Sequence, residues 1–453
     1  MIIGIDIGPG NTDAVLLDST AGAPGPHHPT ITPRATAKVA SVPDDPVAGV
    51  RAALRALPDP PPGTVTRIAV GLRGPARAVT ERRGLARVGV LRIGGPAAQA
   101  VRPLFGWPAD LRDAVGAGTA IVEGGGGFVA EEWVPLDRDA VARFAAALAG
   151  RAETFAVSGV FAPVDDRQEH QAAAILRREL GEVHISLSGE LGPLGLLERE
   201  NTTVLDAALH PIAGHLADGL REVFGDVTAL VTRGDGSVMD VDHLRRHPGL
   251  GIGSSLASTL RGAAALTGLA DAVVADVGEH DIRVGALTGG YPQQALNARI
   301  GGVPVGFWMP DLISVPRAGP DAARDLAEAV DRMQPAAGRL PLVVVGGGAG
   351  TVPARLPGVA EVVRPEHGEV AGAIGAATSP VGGQAERIVR LDAHADLRAM
   401  LAEIREDARA NAVRAGADPR HVTVSEVART QLPYLPGMVL RLHARAAGPA
   451  HHL

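Results

Sequence analysis

Ile5-Asp6-Ile7-Gly8-Pro9-Gly10-Asn11-Thr12-Asp13 opens this chain, and Val274-Ala275-Asp276-Val277-Gly278-Glu279-His280-Asp281 repeats its plan far downstream. In each stretch an apolar, β-branched run ends on Asp-x-Gly, turns, and resumes as an apolar strand: Ala14–Leu17 after the first, Val284–Thr288 after the second. The pattern predicts two hairpins. Backbone N–H groups in such a turn cradle phosphate oxygens, and glycine lets a phosphate approach closely. An Asp at the strand end can hold Mg²⁺, usually through water. One such hairpin is a moderate signal. Two in one chain predict a shared cleft, with Asp6 and Asp276 as catalytic carboxylates and Mg²⁺ ligands. Gly8, Gly10, Asn11, Thr12 and Asp13 on one side, and Gly278 on the other, are the expected phosphate contacts.

A third piece follows in order. Val343-Val344-Val345 runs into Gly346-Gly347-Gly348-Ala349-Gly350, a strand end with room for a flat ring and a ribose, so Gly346, Gly347 and Gly348 are expected cofactor contacts. Gly368–Ala376 then reads as a close-packed connecting helix. Phosphate hairpin, phosphate hairpin, glycine loop is the order found in the actin–Hsp70–sugar-kinase superfamily, which this chain resembles. The resemblance implies an α/β, two-lobed, ribonuclease-H-like ATPase fold.

Bulk composition fits that reading. The chain has 453 residues, enough for two or three domain-sized units. Aromatic content of 3% leaves the core to aliphatic residues and argues against aromatic platforms for single-stranded nucleic acid. A net charge of −7 offers no basic footprint for nucleic acid. Cysteine is absent, which excludes disulfides, thiolate nucleophiles and Cys-ligated zinc. Lys38 is the only lysine, so a Walker-type Gly-Lys-Ser/Thr loop does not exist here. Ser158, Ser188 and Ser254 lack the Gly-x-Ser-x-Gly elbow of a serine hydrolase. His184, His210, His215 and His243 are dispersed and match no metal spacing. The N-terminus has no basic region ahead of its apolar run, and no uncharged apolar stretch reaches ~18 residues. A cytoplasmic protein with no membrane partner is expected.

Between the motifs, a Pro/Thr/Gly-rich loop is expected from about Ser19 to Pro46, and one long helical stretch from Thr202 to Phe224. Near the end, Asp392 is read as the cap of a helix with apolar positions Leu397, Met400, Leu401, Ile404 and Ala408, followed by two alternating strands. The expected division is 1–185 for the lobe with the first hairpin, 186–385 for the lobe with the second hairpin and glycine loop, and 386–453 for a small C-terminal α+β appendage.

Glu198-Arg199-Glu200-Asn201-Thr202-Thr203-Val204-Leu205-Asp206-Ala207, preceded by Ile185-Ser186-Leu187-Ser188, resembles the E-R-x-x-T-T-x-x-x-A segment of the hydantoinase A/5-oxoprolinase family. Ala156–Pro163, Glu81-Arg82-Arg83-Gly84, Gly301–Val305 with Pro310-Asp311, and the tail Pro433-Tyr434-Leu435-Pro436-Gly437 are similar to the same family, over nearly the whole chain. The resemblance implies ATP-dependent opening of a cyclic amide or imide such as a hydantoin, 5-oxoproline or a lactam. ATP and Mg²⁺ are the implied cofactors. A B-type subunit is the implied partner and a small cyclic amide the implied substrate; a homo-oligomer is compatible with it. The family's first hairpin reads D-x-G-G-T-x-T-D, whereas Pro9 here removes a backbone donor. Its second has Gly-Thr where Glu279-His280 stand, and its His-Glu pair stands reversed as Glu169-His170, read as a metal or substrate pair or an exposed helix start. Glu200, Thr202 and Thr203 read equally as site residues and as helix-opening caps. Two other readings stay open: an ATPase switch of the reactivase kind without amide hydrolysis, and a binding protein that has lost turnover.

Overall fold

The computed structural model describes residues 1–18, 31–42, 44–126, 133–191, 195–335, 338–391, 396–433 and 437–451. Asp392 and Tyr434–Pro436, read above as a cap and as part of a tail motif, lie outside them.

β1 (Ile2–Ile7) and β2 (Asn11–Leu17) form the first expected hairpin, in a register that sets Asp6 opposite Asp13 and Ile7 opposite Thr12. β3 (Ala35–Ala40) pairs antiparallel with β2 and occupies part of the expected loop. Its Ala-Thr-Ala-Lys-Val-Ala run has too little hydrophobic contrast to announce a strand, and pairing with β2 supplies the order. β4 (Arg67–Gly71) returns parallel to β1. The chain then builds a separate all-parallel sheet from β5 (Val88–Gly95), β6 (Gly116–Glu123), β7 (Thr154–Gly159) and β8 (His184–Leu187), in the order β6-β5-β7-β8. It comes back through β9 (Thr228–Thr232), parallel to β4, and β10 (Val238–Asp240), antiparallel to β9.

The second half repeats the scheme. β11 (Ala272–Val277) and β12 (Asp281–Thr288) make the second hairpin. β13 (Tyr291–Pro292) adds to the end of β12, and β14 (Arg299–Ile300) with β15 (Val303–Pro304) forms a small ribbon. β16 (Leu312–Pro316) flanks β12 antiparallel, while β17 (Leu342–Val345) and β18 (Val362–Val363) follow parallel to β11. The orders β3-β2-β1-β4-β9 and β16-β12-β11-β17-β18 are therefore the same: three strands antiparallel, then two parallel.

β19 (Val381–Leu391), β20 (Thr423–Gln431) and β21 (Met438–Gly448) extend the first sheet past β10. The expected C-terminal appendage is thus continuous with the sheet that holds the first hairpin, and β9 and β10 of the expected middle segment lie in that sheet too. The free edge of β10 accepts β19 in parallel at Val238 and Val381. The helix Leu397–Arg414 packs on this extension through Ile404, Ala408 and Ala412, and its cap is Asp396, whose carboxylate accepts from Arg398 N at 2.8 Å.

Two helices join the halves. Ser254–Thr267 and Ala371–Thr378 cross so closely that a side-chain carbon at Gly262 would strike the Ala371 carbonyl, and one at Gly375 the Ser258 carbonyl. One apolar cluster takes Ile2, Val15 and Leu17 from the first sheet, Leu260 and Ile374 from these helices, and Val274 and Val343 from the second sheet. The expected Thr202–Phe224 stretch is two helices, Leu196–Ala208 and His210–Phe224; Pro211 stands in the first turn of the second, where a missing N–H costs nothing. Among the described residues no helix is long and apolar enough to cross a membrane.

Candidate functional site

Strand alternation aims the two hairpins. Ile3, Ile5 and Ile7 pack outward into the first core, which leaves Asp6 on the face toward the helix Ala371–Thr378. Val273, Ala275 and Val277 do the same in the second half and leave Asp276 on its inner face. The turns match: Gly8 N donates to Asn11 O at 2.9 Å, and Gly278 N to Asp281 O at 2.9 Å. So do the backstops. A side-chain carbon at Gly71, the last residue of β4, would press on the Asp6 carboxylate, and one at Gly346, just past β17, on that of Asp276.

Charge couples the two halves. Burial pushes the Asp6 carboxyl up to about 6, opposed by a hydrogen bond from Ser255 and by Arg73, and raised further by Asp13 and Asp276. Burial also raises Asp276, against the pull of Arg283 and Arg73. Arg73, lowered by burial, feels Arg283, Asp6, Asp276 and Asp281 together. Arg283 Nη2 lies 2.9 Å from Asp276 Oδ2, and both side chains are largely buried, at 17% and 14% exposure. Asp13 is held by Lys38 Nζ at 2.6 Å. Arg73, Arg283, Lys38, Ser255 and Gly71 carry no motif of their own and were not anticipated.

A nucleotide fits this geometry. Arg73 and Arg283 are cations of a kind that suits phosphate, and Gly10 and Gly347 have open space where a side chain would stand. Gly346 and Gly348 pack against Val277, and Gly348 N donates to Val277 O at 3.0 Å, so the glycine loop is fixed to the second hairpin. Mg²⁺ fits less well. Asp6 Oδ1 is buried without a hydrogen-bond partner, but Asp276, the other expected ligand, is committed to Arg283. No group of three or more His, Cys, Asp or Glu side chains suited to a metal exists among the described residues. Thr12 also departs from expectation. Its side chain is wholly buried on the outer face, within 3.0 Å of Ser41 Oγ, so its hydroxyl braces the turn rather than facing the crevice. Ser41 in turn donates to Gly8 O at 2.9 Å. Glu279 and His280 are exposed at the tip of the second turn.

The segment Glu198–Thr203 is architectural. The helix begins at Leu196, so Glu200, Thr202 and Thr203 sit inside it and cap nothing. Arg92 forks onto Glu200 at 2.6 and 2.7 Å, both fully buried. Asn201 accepts from Trp107 at 2.7 Å and donates to Pro304 O at 2.9 Å, while Thr202 Oγ1 accepts from Gly306 N at 2.8 Å. The helix thereby ties the all-parallel sheet to the ribbon after the second hairpin. Glu169 and His170 do not act as a pair: Glu169 turns inward to Ser188 Oγ and the Gly159 and Gly189 amides, with burial pushing it to about 7, while His170 stays exposed beside Asp166. The histidines are less dispersed than their spacing suggests, since His184 and His210 stack at 3.8 Å.

Comparison with known proteins accords with this picture. The hydantoinase/oxoprolinase N-terminal region model matches residues 2–180, and the hydantoinase/oxoprolinase model matches residues 199–352. No protein of curated function matches the sequence. Among solved structures, the ATP-dependent caprolactamase from Pseudomonas jessenii is similar at a TM-score of 0.77 and 16% identity, covering 99% of this chain and 87% of that one. Nucleotide-free acetone carboxylase, from work on ATP-dependent acetone carboxylation, is similar at 0.66 and 13%, covering 100% and 88%. At such identities the likeness speaks for the fold, the two-lobed actin-like ATPase architecture expected above. With two family models that together span most of its length, the chain belongs to the hydantoinase/oxoprolinase family.

Proposed function

We propose that this chain is the nucleotide-using component of an ATP-dependent enzyme that opens a cyclic amide or imide, acting with a separate B-type hydrolytic subunit. The observation that supports the reading is the pair of matched hairpins that set Asp6 and Asp276 on their inner faces behind glycine backstops, with Arg73 close enough to act on both carboxylates. When bound, ATP would supply a phosphoryl group to the ring's carbonyl oxygen, releasing ADP and activating the carbonyl carbon so that water adds there and the ring C–N bond breaks. The chain's own part is positioning and charge balance, which is most of what phosphoryl transfer asks of a protein. Gly8, Gly10 and Asn11 present one turn to the phosphates and Gly278 the other; Asp6 stands ready for a counter-ion or a proton, and Gly346–Gly348 wall the nucleoside side.

The test is inorganic phosphate release by the purified chain, alone and with its B-type partner, over hydantoins, 5-oxoproline and lactams of several ring sizes. Release stimulated by one ring class supports the proposal. ATP hydrolysis indifferent to every ring substrate, with or without the partner, rejects it. The Arg283–Asp276 pair favours one second reading, a nucleotide-held switch without amide chemistry. Its signature is nucleotide binding and a conformational change with no phosphate release under any of those conditions.

A further inference from the structure

The two hairpins are superimposable in plan but opposite in charge at one position. Asp6 is followed seven residues later by Asp13, its register partner across the hairpin; Asp276 is followed at the same distance by Arg283, its own register partner. A register partner lies on the same face of the sheet, so Arg283 stands on that face at the position where the first hairpin presents a carboxylate. It reaches Asp276 Oδ2 with one terminal nitrogen. Its Nε is buried with no hydrogen-bond partner, and the next carboxylate oxygen, on Asp281, is 3.9 Å off. That Asp281 carboxylate is itself taken by Ser314 Oγ at 3.0 Å. The guanidinium therefore has one edge committed and one edge buried but unspent, a costly arrangement unless an acceptor arrives. Arg73, the N-cap of the helix Gly74–Glu81, is coupled by charge to Asp6, Asp276 and Arg283, and its side chain makes no hydrogen bond or ion pair among the described residues.

We propose that Arg283 and Arg73 together grip the terminal phosphates of the nucleotide, with Arg283 standing beside Asp276 in the place of a divalent cation, so that nucleotide is held without needing one. The inference rests on the nucleotide reading above and adds to it the means by which phosphate charge is neutralised. A guanidinium suits that task, because its planar fork binds phosphate bidentately and its charge does not titrate away. A fixed cation at Asp276 also repels a second one, which disfavours a metal ion at the same carboxylate.

Calorimetric titration of ATP into the full chain decides the matter, run in magnesium buffer and in excess EDTA. The expected Kd values agree within about threefold between the two buffers, since the protein carries the phosphate cations itself. Arg283→Asp, which copies the first hairpin, should lose ~10-fold or more in EDTA and regain it with magnesium; Arg73→Ala should lose ~10-fold in both. Arg283→Lys keeps the charge without the fork and should fall between, which preserves the test if Arg283→Asp proves unstable by thermal melting. Wild-type binding seen only with magnesium overturns this inference and leaves the nucleotide reading intact. Wild-type binding in EDTA that Arg283→Asp does not weaken overturns it too. No ATP binding in either buffer overturns both.

Discussion

The first hairpin sets two acids face to face, Asp6 and Asp13; the second sets an acid against a base, Asp276 and Arg283. Turn length, closing hydrogen bond and glycine backstop are shared. The difference lies in how each half balances its charge. The first half imports a cation from outside the hairpin, Lys38 on β3, and leaves one Asp6 oxygen unpartnered. The second neutralises its carboxylate internally. A duplicated scaffold has thus kept its geometry while its halves have taken different electrostatic tasks: Asp6 is available to a ligand and Asp276 is engaged.

A matched pair of variants separates the two halves most strongly. Asp6→Asn should cut ATP turnover by roughly 10²-fold or more through lost positioning, read as phosphate release, with the fold retained. Asp276→Asn should act on stability as well, because it removes the carboxylate partner of a largely buried Arg283; ~1–3 kcal/mol is expected from urea unfolding. Equal losses of stability in the two variants would erase the distinction.

The backstops offer the next contrast. Gly346→Ala must place a methyl against Asp276 and the Val277 backbone at a φ of 88°, whereas Gly71→Ala presses closely only on the Asp6 carboxylate. The first should cost ~2 kcal/mol, and the second less than half of that, by the same urea measurement.

Asp6 also predicts a pH dependence. Its carboxyl is raised to about 6 when folded, so the folded chain holds that proton more tightly than the unfolded chain. Its contribution to stability is therefore greatest in acid and declines as pH rises from the ordinary carboxylate range to about 6. Asp6→Asn should raise Tm relative to wild type at pH above this window and bring no such gain below it. A Tm difference independent of pH would remove the argument. The smallest effect is expected from Lys38→Met: its partner is largely buried but Lys38 itself is 44% exposed, so a change under ~1 kcal/mol in thermal stability is anticipated.

Much of the fold was readable residue by residue. Asp-x-Gly after Ile5 and again after Ala275 marked both hairpins, because a strand that ends on a glycine turn is a local event. Val343–Gly348 marked the strand and loop beside the second hairpin for the same reason. What escaped depended on pairing. β19 lies in Val381–Leu391, whose Gly-Gly-Gln-Ala-Glu-Arg core is weak strand sequence until β10 and β21 flank it. Thr12 looked like a phosphate contact from its type, yet its register with Ile7 assigns it to the outer face. Arg283 could have been found: aligning the two hairpins on their aspartates places it opposite Asp13 with no further information.

By itself the amino-acid sequence determined the two hairpins, the glycine loop and the family, since each is written in contiguous residues whose turn chemistry and apolar runs act locally. Tertiary structure alone decided which side chains share the crevice. Arg73 and Ser255 arrive there from elements far apart in the chain, Ser255 on one of the two helices whose crossing only glycines at 262 and 375 permit. Charges distant in sequence become neighbours in space only after the sheets have packed, and that packing is what distinguishes Asp6, with one oxygen unpartnered, from the engaged Asp276.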